Sequence, residues 1–267
     1  MIQPDVRETT RRPLLAIERQ REILNLLSER GSVRVTELAE AFRVTEETIR
    51  RDLDKLEQEG RVVRSHGGAV LADVKDVPHG LRELANVPQK EAIAREAARL
   101  VEPGDTILLD ASSTAWFLAR RLPNVPLTVI THSLASALAL SERDQIRVIS
   151  PGGTLAAVTM SFVGSESLAA LRRFHARWLF MSCRAFDPAR GAFDANEEQA
   201  VIRRTMMEIA DERVLMVDGS KLGKRALSFI AGPNDFDRVI VDSGTDGRWL
   251  QALQGAGIRL MVAEVGS

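Results

Sequence analysis

The spacing of apolar residues over the first 75 positions predicts three short helices in close succession. Residues 17–30 place apolar side chains on one face of a helix, and a second stretch of this kind follows at 36–42. The third helix begins after Thr45, a favourable N-cap residue, and extends to Gly60. Short turns separate the helices, so the pattern predicts a compact helical module rather than one long helix.

A β-hairpin is predicted directly after the third helix. Residues 61–64 and 69–71 are β-like and enclose the turn 65–68. We also expect Thr36 to cap the second helix. Three helices and a hairpin in this order predict a winged helix-turn-helix. The residues expected on the buried helix faces are Ile17, Ile23, Leu24, Leu26, Leu27, Leu38, Ala39, Phe42, Ile49, Leu53 and Leu56.

From Lys90 onward, short apolar runs alternate with amphipathic stretches. Continuous apolar runs separated by helices are typical of a mainly parallel sheet that is covered on both faces, which is a doubly wound α/β domain. The predicted strands are 106–109, 127–130, 146–149, 178–181, 214–217, 239–241 and 258–262. The predicted helices are 91–100, 115–122, 134–141, 198–210 and 248–256.

The change of pattern divides the chain into two expected domains. We expect a winged helix-turn-helix domain at 17–73 and an α/β domain at 90–264. The segment between them, 74–89, contains two prolines and a glycine and is interpreted as a linker with a short helix at Leu81–Ala85.

Composition excludes several classes of protein. With 267 residues, 45% hydrophobic residues and one cysteine, the chain is neither a disordered tail nor a disulfide scaffold. The N-terminus lacks the apolar core of an export signal, and prolines interrupt the uncharged stretch 122–141, so we expect a cytoplasmic protein that does not bind membranes. No metal-ligand spacing is visible, and we expect no cofactor. We expect Cys183 to be a buried inert thiol rather than a redox sensor.

The outward face of the third helix is the candidate DNA-binding surface. The second helix of a helix-turn-helix enters the major groove, where arginine binds guanine or phosphate and threonine contacts phosphate or a thymine methyl group. Residues 1–73 contain 13 Arg/Lys and 14 Asp/Glu, so the prediction depends on geometry rather than charge, and a protein-docking module is the alternative. The candidate residues are Thr45, Glu47, Thr48, Arg50, Arg51 and Lys55, with Arg64 and His66 in the wing.

Polar residues follow several of the predicted strands, and ligands of open parallel sheets bind at the carboxyl ends of the strands. Hydroxyl groups at 112–114 precede a helix and suit an anion, a Gly-Gly pair allows close approach, and cationic side chains add positive charge. Taken singly, these features are more often a helix cap, a turn or a solvated charge. Together they predict a pocket for a phosphorylated polyol, with these candidates: Asp110, Ser112, Ser113, Thr114, Thr131, His132, Ser133, Gly152, Gly153, Arg184 and Lys221.

The motifs of both halves resemble those of DeoR-family transcriptional regulators. The N-terminal run TIRRDL…LE…G…R.HGGA, within residues 19–70, matches the DNA-binding end of that family. In the second half, LDASST at 109–114 resembles the family's LDxGTT, THS at 131–133 its TNS, and DGSKLG at 218–223 its DSSKxG. The chain departs from the family pattern at Ser112, His132 and Arg203, and residues 182–185 lack the usual glycine.

The resemblance implies a regulator that binds operator DNA and senses a phosphorylated sugar in a domain similar to ribose-5-phosphate isomerase. It also places Glu198 at an acidic position of the site. We therefore expect a homo-oligomeric (dimeric or tetrameric) repressor of a carbohydrate operon, with activation left open, and not an enzyme. The alternative is an isomerase-like enzyme with an appended DNA-binding module, in which Asp110, Glu198 and Lys221 would act on a sugar phosphate.

Overall fold

The computed structural model separates the chain into two compact units, Met1–Val74 and Lys75–Ser267. The residues that the structure describes are 15–30, 32–58, 61–65, 67–71 and 78–266. In the first unit, the helices and strands follow in the order α1 (Ala16–Arg30), β1 (Ser32–Arg34), α2 (Val35–Phe42), α3 (Glu46–Gln58), β2 (Val62–Ser65) and β3 (Gly68–Leu71). The strands form an antiparallel sheet in the order β1-β3-β2, which confirms the predicted winged helix-turn-helix.

The core of the first unit lies where α1, α2 and α3 meet. Ile49, Leu53 and Leu56, at spacings of four and three along α3, are fully buried as predicted. Ile17 is an exception, because 69% of its surface is exposed although the periodicity places it on the buried face. It lies in the first turn of α1, and the buried residues of this helix begin two positions later.

The helix starts in this unit differ in their capping. Thr45 is the predicted N-cap of α3, and its Oγ1 accepts a hydrogen bond from the backbone N of Thr48 at 3.2 Å. The prediction that Thr36 caps α2 is wrong, because this helix begins one residue earlier, at Val35. Its N-cap is Arg34, which makes no side-chain capping bond, and the Val35 side chain is buried in the core.

The second unit contains a seven-stranded sheet with helices on both faces. Its helices are α4 (His79–Leu84), α5 (Val87–Ala98), α6 (Ser113–Arg121), α7 (Leu134–Leu140), α8 (Ser165–Leu171), α9 (Glu197–Glu208) and α10 (Gly247–Gly255). Its strands are β4 (Thr106–Leu109), β5 (Leu127–Thr131), β6 (Ile146–Ile149), β7 (Thr154–Ala156), β8 (Ser161–Val163), β9 (Ala176–Met181), β10 (Ala185–Asp187), β11 (Gly191–Asp194), β12 (Ala210–Met216), β13 (Ser228–Ala231), β14 (Arg238–Asp242) and β15 (Leu260–Ala263).

The large sheet is parallel throughout, with the strand order β15-β14-β12-β9-β4-β5-β6. The chain forms β4 and then adds β5 and β6 on one side of it. It then places β9 on the other side of β4 and continues outward through β12, β14 and β15. Successive residues of each strand enter cores on opposite faces, as Ile107 and Leu108 do. This confirms the predicted doubly wound α/β domain, and the seven predicted apolar runs supply its seven strands.

The second unit also contains smaller elements that the hydrophobic pattern did not predict. A β7–β8 hairpin and an antiparallel β10-β11-β13 sheet lie beyond the predicted strands, and α8 follows the hairpin. The described part of the expected linker forms α4 and the beginning of α5, both in the second unit. Across the described ranges, no helix is long and apolar enough to cross a membrane.

Candidate DNA-binding face and ligand site

The outward face of α3 carries the side chains that the sequence nominates for DNA. Thr45, Glu47, Arg50, Arg51 and Lys55 are exposed, and Thr48 is partly buried against the Thr45 hydroxyl, with 2.9 Å between the two Oγ1 atoms. The structure therefore brings these six residues together on one face of one helix.

Among the described residues, the arginines of this face pair with acids one turn earlier on the same helix. Arg50 reaches Glu46 at 2.5 Å, and Arg51 reaches Glu47 at 3.3 Å. The side chain of Arg51 is 79% exposed. Ion pairs of this kind contribute less than about 0.5 kcal/mol, so a phosphate can replace the glutamates at little cost.

Arg64 connects the wing to the helix. Its guanidinium forms an ion pair with Asp54 and donates to the carbonyl of Arg50 at 3.2 Å. The backbone N of Arg64 donates to Glu57 at 2.9 Å. These contacts fix the start of the hairpin against α3. His66, the other predicted wing residue, lies outside the described residues.

A buried polar contact joins α3 to α1. Asp52 accepts from Arg19 at 2.5 Å and from Gln20 at 2.8 Å, and all three side chains are buried between α1 and α3. Sequence reasoning missed this contact, although residue 52 falls three after Ile49 on the buried face. Its effect is to fix the rotation of α3, and therefore the direction of its exposed side chains.

In the second unit, Asp110 lies where the strand order reverses, at the carboxyl end of β4. Its Oδ1 accepts from the N and Oγ of Ser112 at 3.2 and 2.5 Å. Its Oδ2 accepts from the backbone N of Ser182, after β9, at 3.2 Å and from Arg203 Nε at 2.8 Å. The carboxylate is fully buried and each oxygen already accepts two hydrogen bonds. Asp110 therefore orders the site, and binding of a sugar hydroxyl to it would displace one of these donors.

Arg203, on α9, is a hydrogen-bond partner of Asp110 that was not among the candidate residues predicted from the sequence. Its Nη1 reaches Asp194 at 2.6 Å, so one guanidinium bridges two buried carboxylates. Burial opposes the charge of Arg203, but Asp194 and Asp110 outweigh it and raise its pKa. Burial alone would raise the pKa of Asp110, yet Arg203 and the Ser112 hydroxyl hold it below its usual range. Arg203 lies four residues after the buried Gln199 and therefore on the same helix face. This spacing was the signal that could have identified Arg203 as buried.

A second set of polar side chains surrounds the end of β5. Thr131 Oγ1 donates to the carbonyl of Leu109 at 2.8 Å and accepts from the N of Ser133 at 3.1 Å. The Nε2 of His132 lies 3.3 Å from Gln199 Oε1, and burial lowers the pKa of His132 to about 4. Ser133 caps α7 just as Ser112 caps α6. His132 is therefore a neutral, fully buried hydrogen-bonding group.

Lys221 brings positive charge to the neighbouring strand end. Its Nζ donates to Ser182 Oγ at 2.7 Å and lies 3.8 Å from Asp218. Asp218 also accepts from Asn86 at 3.0 Å. Burial alone would raise the pKa of Asp218. Lys221, the Ser220 hydroxyl and Lys90 outweigh burial and lower the pKa below its usual value, so Asp218 stays ionised. Lys221 therefore lies within the cluster that contains Asp110, through the shared contact with Ser182.

Other nominated residues lie apart from this cluster. Arg184 and Glu198 are exposed, and the residue of α9 that points inward is Gln199 rather than Glu198. Gly152 and Gly153 have positive φ, and a Cβ at Gly153 would lie 2.7 Å from the carbonyl oxygen of Val163. Gly153 therefore serves the close packing of the loop before β7, whereas Gly152 is favoured by its backbone conformation alone. Ser113 and Thr114 are buried in the first turn of α6.

A cavity of about 790 Å³ lies between α4, α6 and α7, and its lining includes His79, Trp116, Arg120 and Leu138. No nominated residue lines it. Among the described residues, no group of His, Cys, Asp or Glu has the arrangement of a metal site. Burial raises the pKa of Cys183 to about 12, which agrees with an unreactive thiol.

Comparison with known proteins assigns both units. Residues 19–75 match the DeoR-like helix-turn-helix domain, and residues 85–243 match the DeoR C terminal sensor domain. A solved structure with a similar fold is ribose 5-phosphate isomerase A from Methanocaldococcus jannaschii, with a TM-score of 0.40 and 20% identity. It aligns over 52% of this chain and 55% of that chain.

Several curated relatives align over nearly their whole length. The HTH-type transcriptional regulator YulB of Bacillus subtilis is 45% identical, over 92% of this chain and 96% of the relative. The L-fucose operon activator of Haemophilus influenzae is 35% identical over 82% and 89%. The putative aga operon transcriptional repressor of Escherichia coli O157:H7 is 31% identical over 92% and 93%. The chain therefore belongs to the DeoR family of helix-turn-helix transcriptional regulators, a family of DNA-binding proteins rather than enzymes.

Proposed function

We propose that the protein is a homo-oligomeric repressor of a carbohydrate catabolic operon. In this proposal residues 17–73 bind operator DNA, and a phosphorylated sugar bound within residues 90–264 weakens that binding. The observation that carries the ligand half is the position of the Asp110–Ser182–Lys221 cluster at the reversal of strand order, where open α/β sheets bind ligands.

The DNA half is supported by the exposed arginines of α3. Arg50 and Arg51 are paired with exposed glutamates, and Arg64 holds the wing against the same helix. Nucleic-acid phosphates would compete with the glutamates for the arginines, and the wing would lie beside the groove that α3 enters. Oligomer formation is proposed because helix-turn-helix proteins commonly bind two half-sites with two copies of the recognition helix.

The ligand half is supported by charge and by buried hydroxyl groups. Lys221 supplies a cation, while Ser112, Ser113 and Thr114 begin α6, whose free backbone N–H groups favour an anion. The hydroxyl of Thr114 is buried without a hydrogen-bond partner among the described residues, and so is His132 Nδ1. A polyol phosphate would supply both the anion and partners for these polar atoms.

The test is an operator-release assay on the full-length protein. Binding of a labelled fragment from upstream of the gene is measured by fluorescence anisotropy against a panel of pentose and hexose phosphates. We expect one class of sugar phosphate to release the DNA, and we expect Lys221→Met to bind DNA normally without responding. Lys224→Met, at an exposed lysine three residues later, is the matched control and should respond as the wild type does.

Two results would change the proposal. If the Lys221→Met protein responds normally, the anion site lies elsewhere in the domain. If the sugar phosphate strengthens DNA binding and transcription rises with it, the protein is an activator. A ligand can act in either direction because it shifts the equilibrium only by its different affinities for the two states.

A further inference from the structure

Lys90 is a buried cation that the ligand site described above does not yet use. It lies in the first turns of α5, is 4% exposed, and donates from Nζ to the carbonyls of Arg82 and Ala85. These carbonyls belong to the C-terminal end of α4 and to its C-cap. The ammonium of Lys90 therefore holds the end of α4 to the start of α5.

The turn that Lys90 holds is attached to the ligand site, and the Lys90 ammonium is close enough to that site to interact with its charges. Lys221 lowers its pKa and Asp218 raises it, so both groups lie within electrostatic range of Lys90. Asn86, the N-cap residue of α5, donates to Asp218 at 3.0 Å and to Ser220 at 3.1 Å. The turn between α4 and α5 is therefore attached directly to the loop that carries Lys221.

The charges around Lys90 are not balanced. Burial, Lys221 and Arg82 oppose its positive charge, Asp218 and Glu83 favour it, and together they lower the pKa of Lys90 to about 7. An anion beside Lys221 would supply the missing negative charge. It would also give the third N–H of a charged Lys90 an acceptor, because two are donated to carbonyls.

Helix α4 is the first described element of the second unit, and it contacts the loop after β4 and the turn between β7 and β8. Arg82 Nη1 donates to the carbonyl of Ala111 at 3.2 Å, and the N of His79 donates to Val158 at 2.9 Å. Along the sequence, α4 follows the segment that joins it to β3 of the DNA-binding unit. A change in how firmly α4 is held therefore acts on the part of the sensor nearest in sequence to the DNA-binding unit.

We propose that Lys90 is a second anion contact of the strand-end site and that it couples occupancy of this site to α4. An anionic group bound beside Lys221 keeps Lys90 charged and tightens its hold on the carbonyls of Arg82 and Ala85. The inference rests on the proposed function and adds to it the residue by which occupancy is transmitted to α4. Lys90 is a positioning residue for α4 as well as a ligand contact.

Amide hydrogen exchange of the full-length protein tests the coupling. Sulfate is the probe, because it is a dianion that does not titrate near pH 7, and chloride at equal ionic strength is the reference. We expect sulfate to slow exchange over residues 79–86 by about threefold or more, since exchange there requires local opening of α4. Lys224→Met should behave as the wild type, whereas Lys90→Met should show fast exchange with and without sulfate.

Lys90→Arg separates charge from titration. Arginine stays charged at every accessible pH, so α4 should be protected in this variant even without sulfate, and sulfate should add less protection than it does in the wild type. Calorimetric titration of sulfate at pH 7 in two buffers of different ionisation enthalpy should show uptake of up to about half a proton by the wild type, because Lys90 is then near half protonation. The uptake should disappear in Lys90→Arg. This measurement does not depend on the folding of Lys90→Met.

The outcomes separate the two proposals. If sugar phosphates release DNA but neither they nor sulfate change exchange over residues 79–86, the coupling through Lys90 is wrong and the proposed function stands. If sulfate binds without proton uptake, Lys90 does not contact the anion. If neither sulfate nor any sugar phosphate binds, both proposals fail.

Discussion

The arginines on the outward face of α3 and Arg203 in the sheet domain form opposite kinds of ion pair. On α3, Arg50 and Arg51 project into solvent and pair with Glu46 and Glu47 one turn away. In the sheet domain, Arg203 is 4% exposed and bridges two carboxylates from different elements of the fold. Arginine thus forms exchangeable ion pairs on α3 and a fixed structural bridge in the sheet domain.

The difference follows from desolvation. A solvated arginine loses little when it exchanges a glutamate for a phosphate, because water screens both states. A buried arginine has no such substitute, and removal of its charge leaves the carboxylates unpaired. We therefore expect substitution of the exposed arginines of α3 to affect binding and substitution of Arg203 to affect folding.

The largest effect is expected for Arg203→Met. The substitution leaves Asp110 and Asp194 buried without their common partner and should reduce the free energy of unfolding by about 3–5 kcal/mol. Urea unfolding of the full chain followed by tryptophan fluorescence reports on the sheet domain, which contains Trp116, Trp178 and Trp249. Adding Asp110→Asn should restore part of the loss. A loss below about 1 kcal/mol would show that the bridge contributes little to stability.

A smaller effect is expected from acid. The pKa of His132 is about 4 in the folded protein and about 6.5 when exposed, so the unfolded chain takes up the proton first as the pH falls. Its contribution is complete above pH 6.5 and is lost progressively toward pH 4, reaching a loss of about 2 kcal/mol at pH 5. His132→Asn should reduce the stability difference between pH 7 and pH 5 by this amount.

In the first unit, Arg64→Met should have an effect of about 1 kcal/mol, because the hydrogen bond to the Arg50 carbonyl and the partly solvated ion pair with Asp54 are lost. The measurement is amide exchange over β2, where protection should fall about fivefold, the equivalent of that energy. Lys55→Met, on the exposed face of the same helix, should leave this exchange unchanged. If protection in the Arg64 variant is also unchanged, the wing is held by its strand pairing alone.

The smallest effect on stability is expected for Arg51→Ala, within about 0.5 kcal/mol of the wild type. DNA binding should nevertheless weaken, and the slope of log affinity against log salt should fall by about 0.9 if Arg51 contacts a phosphate. Titrations at several salt concentrations measure both quantities. Unchanged affinity would remove Arg51 from the interface and break the contrast between the two units.

The fold was largely readable from hydrophobic periodicity, because strands such as β4 and β9 bury short apolar runs on both faces of the sheet. The antiparallel β10 and β11 were not readable, since each is three or four residues long with one partly exposed position. Ile17 was misplaced because periodicity assigns a face but does not say where the core ends.

The polar cluster at the strand ends was predictable in position but not in detail, and its role as a ligand site stays a prediction. Strand-end residues such as Asp110 and His132 are marked by a polar residue after an apolar run. Arg203 and Lys90 lie within helices, where a charged residue usually indicates solvent, and their burial depends on partners that are distant in sequence. For the same reason, Glu198 and Arg184 could not be recognised as exposed from the sequence.

The reversal of strand order between β4 and β9 determines which part of the domain a bound ligand stabilises. These adjacent strands are about 70 residues apart in the sequence, and Asp110 and Ser182 meet only after the chain between them has folded. A ligand held there binds the completed sheet and not either half. By mass action it therefore stabilises the whole domain rather than one loop, and truncation on either side of the seam would abolish binding altogether.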